Sequence, residues 1–308
     1  MQASATMGRL RSAVRTLADI DLPPDELLTH LDDIVVKLSA ESLGDHGTTP
    51  RGDIGATCLY AVYDPVSRDC TLASAGHPVP ALRTPDGVCE FVDLPPGPPL
   101  GLGGLPFESV TLSLPEDSLI ALYSDGLVES RHRDIDAGFK ELKQVLAQHA
   151  GALEATCDNT LKVLVDDPPQ DDVAVLLACT RALDASQVAV WEFARDPAVV
   201  SQAREAVSRQ LSRWGLEGAV LTTELVVSEL VTNAIRYGSG PVQLRLIRQK
   251  TLICEVSDGC NTAPHLRRAR TYDEGGRGLF IIANVTERWG TRQSRRGKTI
   301  WTEQALAP

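Results

Sequence analysis

The sequence lacks the long apolar run that a membrane span requires. No stretch approaches the roughly 18 to 20 consecutive apolar residues of a transmembrane helix, and the first residues do not show the charged and then apolar pattern of a signal peptide. The chain has 308 residues, of which 43% are apolar, which is enough for the cores of two ordinary domains. These features predict a cytoplasmic protein without a membrane among its partners.

The sequence also lacks a regular cysteine pattern, and its first half has few positive charges. Both features narrow the class of protein. The seven cysteines are scattered without a CxxC pair, which disfavours a disulfide framework and a zinc site. Residues 1–183 carry 13 Lys and Arg against 28 Asp and Glu, whereas residues 184–308 carry 17 against 13. The acidic first half argues against a nucleic-acid ligand. The uneven charge indicates two domains with different partners.

The first part of the chain has the pattern of an α+β layered domain, predicted to cover residues 1–182. Two stretches with helical spacing come first, Met7–Leu17 and the leucine-rich stretch after Pro24. Short β-type runs and two further helical stretches follow, separated by turn residues. The predicted strands are Ala56–Tyr63, Thr71–Ala75, Pro80–Arg83, Val88–Val92, Val110–Leu114, Leu119–Tyr123 and Val173–Ala178, and the helices lie near 137–149 and 152–165.

A linker is predicted at residues 183–190 and a second domain at 191–308, because the periodic pattern lapses between the two. The second domain shows two helical stretches, then two strands that a tight polar turn joins into a hairpin, and a later strand. The helices are Pro197–Leu211 and Val220–Tyr237, and the strands are Val242–Arg248, Thr251–Val256 and Thr299–Glu303.

The helical stretch Val220–Tyr237 carries the most informative pair of residues, Glu229 and Asn233. Residues four apart lie on the same face of a helix, one turn from each other. A carboxylate can accept a proton or orient a hydroxyl, and an amide oxygen is a suitable ligand for Mg²⁺. The pair therefore predicts chemistry at a phosphate group.

Two later motifs extend this prediction. Asp258 ends a strand, where its oxygens can accept hydrogen bonds from an exocyclic amine such as that of adenine. Residues 275–279 read Gly-Gly-Arg-Gly-Leu, which is typical of a flexible loop that opens onto a helix N-terminus, where backbone N–H groups attract phosphate. Their order after the helix pair favours a nucleotide site over a chance match.

Residues from about Trp191 to Leu306 resemble the GHKL ATP-binding fold, and specifically the RsbW-like anti-sigma-factor serine kinases. The resemblance implies that Glu229 is the catalytic base or orienter and that Asn233 holds Mg²⁺. The ATP-binding residues that it implies are Glu229, Asn233, Asp258 at the adenine, Gly276, Arg277 and Gly278 in the phosphate lid, and Thr299 near the base.

Acidic residues in the first half suggest a second site. Asp125 follows one apolar strand, and Asp171 and Asp172 precede another, so the carboxylates would converge on a hard-metal site if the strands are neighbours. The segments 75–78, 99–102, 122–129 and 171–172 resemble, in order, SpoIIE-type (RsbU-like) type 2C protein phosphatases. That resemblance implies Mn²⁺ or Mg²⁺ at Asp125 and Asp171, with Asp172 as the alternative to Asp171. His77 is interpreted as a structural turn residue.

The sequence departs from the phosphatase family at one point. In the family, a Gly-Asp segment whose aspartate bridges two metals precedes the helix that matches Met7–Leu17, and this sequence begins after it. Gly52-Asp53 lies downstream of that helix and is interpreted as a loop. Weak metal binding is therefore the expectation.

The combined prediction is an α+β protein: an α-β-β-α phosphatase-like sandwich followed by a GHKL two-layer α/β sandwich. Its implied function is partner switching, in which a phosphatase module and an ATP- and Mg²⁺-dependent serine kinase act on an anti-sigma-factor antagonist. A sigma factor and a second copy of the chain are further candidate partners. The alternative is a non-catalytic binding protein whose first domain is a regulatory scaffold. A histidine kinase is disfavoured, because residues 150–190 offer no helical hairpin with a phosphoacceptor histidine.

Overall fold

A computed structural model describes residues 2–43, 55–130, 133–149, 151–166, 171–260, 278–294 and 297–306. The chain divides into two compact units. The first comprises Met1–Arg15 and Pro24–Ala182, and the second comprises Thr16–Pro23 and Leu183–Pro308.

The first unit places two antiparallel sheets between helices. Within the described residues, one sheet has the strand order β1-β2-β5 and the other β4-β3-β6-β7. Helix α2 packs on β1 and β2, α3 packs on β3 and β4, and α4 packs on β7. The elements are α1 (Gln2–Asp19, of which residues 16–19 are assigned to the second unit), α2 (Pro24–Leu43), β1 (Cys58–Tyr63), β2 (Asp69–Ala75), β3 (Ala81–Arg83), β4 (Cys89–Phe91), β5 (Ser109–Ser113), β6 (Leu119–Tyr123), α3 (Ile135–Ala147), α4 (Leu153–Leu164) and β7 (Val175–Cys179).

Apolar side chains fill the spaces between these layers. One cluster, including Cys70, Leu72 and Leu114, lies between the two sheets, and another, including Leu119 and Leu142, lies between the second sheet and α3 and α4. Each fully buried side chain of this kind contributes roughly 1.5 to 3 kcal/mol. The layers confirm the α-β-β-α sandwich expected from the sequence.

The second unit is a two-layer α/β sandwich, as expected. Within the described residues its antiparallel sheet has the order β11-β12-β10-β9-β8. One face of the sheet packs against α5 and α6 in a single core, and α7 packs on α6. The elements are β8 (Val188–Phe193), α5 (Val199–Arg213), α6 (Val220–Tyr237), β9 (Val242–Arg248), β10 (Thr251–Asp258), α7 (Gly278–Val285), β11 (Arg288–Ser294) and β12 (Gly297–Ala305).

Helix α6 supplies much of this core. Its buried residues recur at helical spacing: Thr223, Val226, Val227, Leu230, Val231 and Ala234. Among the described residues, the helix Glu217–Tyr237 is long and apolar enough, by length and composition alone, to cross a membrane. The burial of this apolar face explains that composition, because a core helix has the same character.

The structure differs from the sequence prediction at the linker. The predicted linker 183–190 contains a 3₁₀ turn and the start of β8, which pairs with β9 along its whole length. Residues 188–190 are therefore part of the second unit's sheet.

Candidate functional site

Glu229 and Asn233 lie on the part of α6 next to its buried face. Both side chains are half-buried, whereas the adjoining Leu230 is fully buried. The packing of Leu230 against the sheet therefore fixes the direction in which the two polar side chains point. The amphipathic pattern of α6 thus presents a carboxylate and an amide side by side at the edge of the core.

Gly278, the first residue of α7, lies directly against this pair. A Cβ atom on Gly278 would overlap Oε2 of Glu229 and would lie 3.7 Å from Nδ2 of Asn233. Only glycine allows the backbone to approach the carboxylate so closely. The structure therefore brings Glu229, Asn233 and Gly278 together, whereas Gly276 and Arg277 lie outside the described residues.

The C-terminal end of α6 is tied to neighbouring elements. Arg195 Nε donates a hydrogen bond of 2.7 Å to the carbonyl of Ile235, one of the helix-end carbonyls that lack an intrahelical partner. A Cβ on Gly238 would lie 2.7 Å from Oδ1 of Asp258. The end of α6 and the end of β10 are therefore in contact, which places Asp258 at the same end of the sheet as the C-terminus of α6.

Asp258 is buried and already has hydrogen-bond donors. Its carboxylate forms an ion pair with Lys298, with Nζ 3.3 Å from Oδ2, and accepts a hydrogen bond of 2.9 Å from the backbone N–H of Cys260. Lys298 is opposite Asp258 in the β10–β12 register. Lys298 was not among the residues predicted from the sequence. It can be recognised only from the antiparallel register of β10 and β12, which is fixed once the extent of β12 is known.

Thr299 lies on the other face of the sheet. It pairs with Ser257 in the register, and the two hydroxyl oxygens are 2.8 Å apart. Cross-strand partners share a face, and successive residues alternate between faces. Thr299 and Asp258 therefore point in opposite directions, and the structure does not bring Thr299 to the carboxylate.

The acidic residues of the first unit lie at one end of the β6–β7 pair. Tyr123, the last residue of β6, is opposite Val175, the first residue of β7. The connection is reinforced by Ser124, whose Oγ donates to the carbonyl of Asp172 at 3.1 Å and accepts from the N–H of Ala174 at 2.9 Å. The two strands are neighbours, which is the condition on which the predicted metal site depends.

Asp171 lies against Gly126, the residue that follows Asp125. The Cβ of Asp171 would be 3.2 Å from a Cβ on Gly126. Each carboxylate accepts one local backbone hydrogen bond through Oδ1, Asp125 from Gly126 and Asp171 from Asp172. Carboxylate oxygens suit Mg²⁺ and Mn²⁺. However, no group of three or more His, Cys, Asp or Glu side chains that could hold a metal forms within the described ranges, so the residues fit only part of a metal centre.

His77 lies near the same junction. Its backbone N–H donates to Ser74 Oγ, and its Nδ1 is 3.1 Å from Thr57 Oγ1. Burial lowers the pKa of His77 below its usual value, although the charge of Asp125 has the opposite effect. Its hydrogen bonds hold a turn, as expected from the sequence. The proximity of His77 to Asp125 was not predicted from the sequence.

Comparison with known proteins agrees with this geometry. The two units define a type 2C phosphatase-like sandwich followed by an ATPase-like sandwich. The family model of stage II sporulation protein E (SpoIIE) matches residues 1–181, and that of the histidine kinase-like ATPase domain matches residues 193–303. The chain belongs to the SpoIIE family, with a histidine kinase-like ATPase domain as its second unit.

One solved structure has the same combination of domains, and others match the first unit alone. The RsbU and RsbW domains of Rv1364c from Mycobacterium tuberculosis are 21% identical, with a TM-score of 0.51, over 100% of this chain and 83% of that chain. The phosphatase domain of SpoIIE from Bacillus subtilis is 14% identical, with a TM-score of 0.39, over 56% of this chain and 71% of that chain. The SiaA-PP2C domain of Pseudomonas aeruginosa is 18% identical, with a TM-score of 0.40, over 57% of this chain and 66% of that chain. The first of these supports the fold of the chain.

Proposed function

We propose that this protein is a cytoplasmic partner-switching regulator. Its second unit is a serine kinase that transfers the γ-phosphate of ATP to an anti-sigma-factor antagonist. Its first unit is a phosphatase module that acts on the phosphoserine of the same protein, and a sigma factor is a further candidate partner. The observation that carries the proposal is the convergence of Glu229, Asn233 and Gly278 at one point of the second unit.

The residues of this point fit a magnesium-bound nucleotide. Gly278 leaves room beside the Glu229 carboxylate that any side chain would fill, and the amide oxygen of Asn233 is a ligand that Mg²⁺ accepts. Asn233 would hold the metal, which would supply positive charge that offsets the charge developing on the phosphate groups. Asp258 is the acceptor for the exocyclic amine of the base.

Glu229 has the position of a base for the target hydroxyl. Its carboxylate would accept the serine proton while the serine oxygen bonds to the γ-phosphorus and ADP leaves. Asn233 would fix the metal, and Gly278 would keep the carboxylate accessible. These three roles account for each residue that the structure brings together.

The proposal is tested by replacing the metal ligand. Asn233→Ala is expected to abolish Mg-ATP binding in calorimetric titration, because the magnesium loses its only proposed ligand from α6. Asn284→Ala is the matched control, since Asn284 is exposed on α7 and donates to the carbonyl of Phe280. Unchanged ATP affinity in Asn233→Ala would refute the nucleotide site.

For the first unit, a regulatory scaffold without catalysis is the second candidate. It is favoured because the described residues contain no group of three metal-binding side chains. Titration with Mn²⁺ separates the candidates. The phosphatase is supported if the wild type binds Mn²⁺ tightly at two sites and Asp125→Ala loses both this binding and the hydrolysis of phosphoserine. A wild type that binds no Mn²⁺ supports the scaffold.

A further inference from the structure

The ion pair of Asp258 and Lys298 is almost completely buried. The Lys298 side chain is 5% exposed and the Asp258 side chain 3%. Lys298 Nζ lies 3.3 Å from Oδ1 as well as from Oδ2 of Asp258, and the N–H of Cys260 also donates to Oδ1. Both carboxylate oxygens therefore have a donor from the protein itself.

The surrounding backbone encloses the carboxylate on the helix-facing side of the sheet. Gly238 lies against Oδ1, since a Cβ there would be 2.7 Å away. The N–H of Gly259 donates to the carbonyl of Ser239 at 2.7 Å and fastens the residue after Asp258 to the end of α6. With so little of the side chain exposed, an external donor reaches Asp258 only by taking the place of an internal one.

Lys298 is the internal donor that can leave. The Cys260 donor belongs to the backbone next to Asp258, and its position is fixed by the chain. The ammonium group of Lys298 stands at the end of four rotatable methylene groups, so it can withdraw without movement of β12. It also makes the same kind of contact as an exocyclic amine, namely an N–H donated to a carboxylate oxygen.

We infer that Lys298 is a built-in competitor for the base of the nucleotide. It occupies the acceptor that the base amine needs, so a nucleotide binds only when Lys298 gives up Asp258. This inference rests on the proposed ATP site and adds a residue that sets its affinity. An unpaired buried carboxylate is unfavourable. If the ammonium group of Lys298 is removed, the base amine can donate to the Asp258 carboxylate without displacing it, and the nucleotide binds more tightly.

The test compares a nucleotide with a probe that has no base. In calorimetric titrations of the full chain at pH 8 with Mg²⁺, Lys298→Met is expected to bind ATP at least tenfold more tightly than the wild type. Binding of inorganic tripolyphosphate is expected to stay the same or weaken, because a positive charge is lost. Lys250→Met, in the exposed turn between β9 and β10, is the matched control and should change neither affinity.

Further variants separate competition from a purely structural role. In an Asp258→Asn background, Lys298→Met should no longer tighten ATP binding, because the contested carboxylate is absent. If Lys298→Met does not fold, Lys298→Gln, which keeps a neutral donor, should show a smaller gain in the same direction. Equal shifts for ATP and tripolyphosphate, or unchanged ATP affinity, would overturn the inference while leaving the kinase proposal intact.

Nucleotide binding by the wild type decides the remaining outcomes. A wild type that binds no ATP alongside a Lys298→Met variant that does would support the inference in its strongest form. If neither protein binds ATP or tripolyphosphate, both the competitor and the ATP site are refuted. If both proteins bind tripolyphosphate and neither binds ATP more tightly than tripolyphosphate, only the base contact at Asp258 is refuted.

Discussion

At the scale of single residues, Gly278 approaches Glu229 so closely that a side chain at this position would collide with the carboxylate. A methyl group at residue 278 would meet Oε2 of Glu229 and displace it. The displaced group is the far end of a flexible side chain, so the fold can accommodate the change, whereas a reacting carboxylate cannot move without loss of rate.

Gly278→Ala is therefore expected to separate catalysis from stability. Phosphoryl transfer to the antagonist should fall on the order of a hundredfold, while the free energy of unfolding changes by less than about 1 kcal/mol. Radiolabelled ATP measures the first quantity and urea unfolding the second. Gly218→Ala is the control, because a Cβ there meets no atom within 4 Å. Full activity in Gly278→Ala would show that Glu229 does not act from its observed position.

A second residue-scale prediction concerns Cys70, which is 2% exposed in the core of the first unit. Burial raises the pKa of this thiol to about 11 from a usual value of 9.0. The native state thus holds the proton more tightly than the unfolded state, so the stabilisation is complete below pH 9 and is lost as the pH rises through 11. Urea unfolding between pH 8 and 11 should show this decline, and Cys70→Ala should reduce it. A decline of the same size in Cys70→Ala would assign it to other groups.

At the scale of elements, Arg133 holds together the segments around the acidic residues of the first unit. Its side chain is 13% exposed, and Nη2 donates hydrogen bonds of 2.8 Å to the carbonyls of Leu127 and Leu164. Nη1 lies 3.4 Å from Glu141 on α3. One guanidinium group thus connects the turn after β6 with α3 and with the end of α4.

Arg133→Ala is expected to destabilise the first unit by about 2 to 4 kcal/mol, since hydrogen bonds to charged groups are lost and buried carbonyls lose their donor. Urea unfolding followed by circular dichroism measures the change. Arg209→Ala removes an exposed pair with Glu205 and should cost less than about 0.5 kcal/mol. If both variants lose the same amount, the buried network contributes nothing beyond an ordinary surface pair.

The elements also show where sequence patterns suffice and where they fail. Helix α6 and strands β6 and β9 begin and end at the predicted residues, because their apolar periodicity coincides with their burial. The sequence prediction included neither β8 nor β11. β11 reads Arg-Trp-Gly-Thr-Arg-Gln-Ser and has few apolar residues. Its own pattern therefore does not indicate a strand, and its antiparallel pairing with the next strand, β12, makes it one.

The same limit applies to the candidate site. Glu229 and Asn233 were predictable together, because a helix fixes the geometry of residues four apart. The contact of Gly278 with Glu229 and the pairing of Asp258 with Lys298 join residues distant in the sequence. Such contacts depend on strand register and helix packing, and so does the orientation of Thr299, which the register places on the face opposite Asp258. The position of a residue in a motif therefore does not determine the face on which its side chain lies.

At the scale of the whole molecule, the two units have separate cores and different spectroscopic probes. The apolar cluster around α6 belongs to the second unit, and the clusters around the two sheets belong to the first. All four tryptophans of the chain, Trp191, Trp214, Trp289 and Trp301, lie in the second unit. Tryptophan fluorescence therefore reports on the unit with the proposed nucleotide site, whereas far-ultraviolet circular dichroism reports on both.

This distribution allows nucleotide binding to be assigned to one unit of the intact protein. A ligand at a hundred times its Kd stabilises the state that binds it by about 2.7 kcal/mol. Mg-ATP should thus raise the midpoint of thermal unfolding seen by tryptophan fluorescence by about 5 to 10 °C. Asn233→Ala should remove the shift, whereas Asp125→Ala should leave it unchanged, because Asp125 belongs to the first unit. A shift that persists in Asn233→Ala, or that Asp125→Ala removes, would place the nucleotide away from α6 and contradict the proposed division of roles.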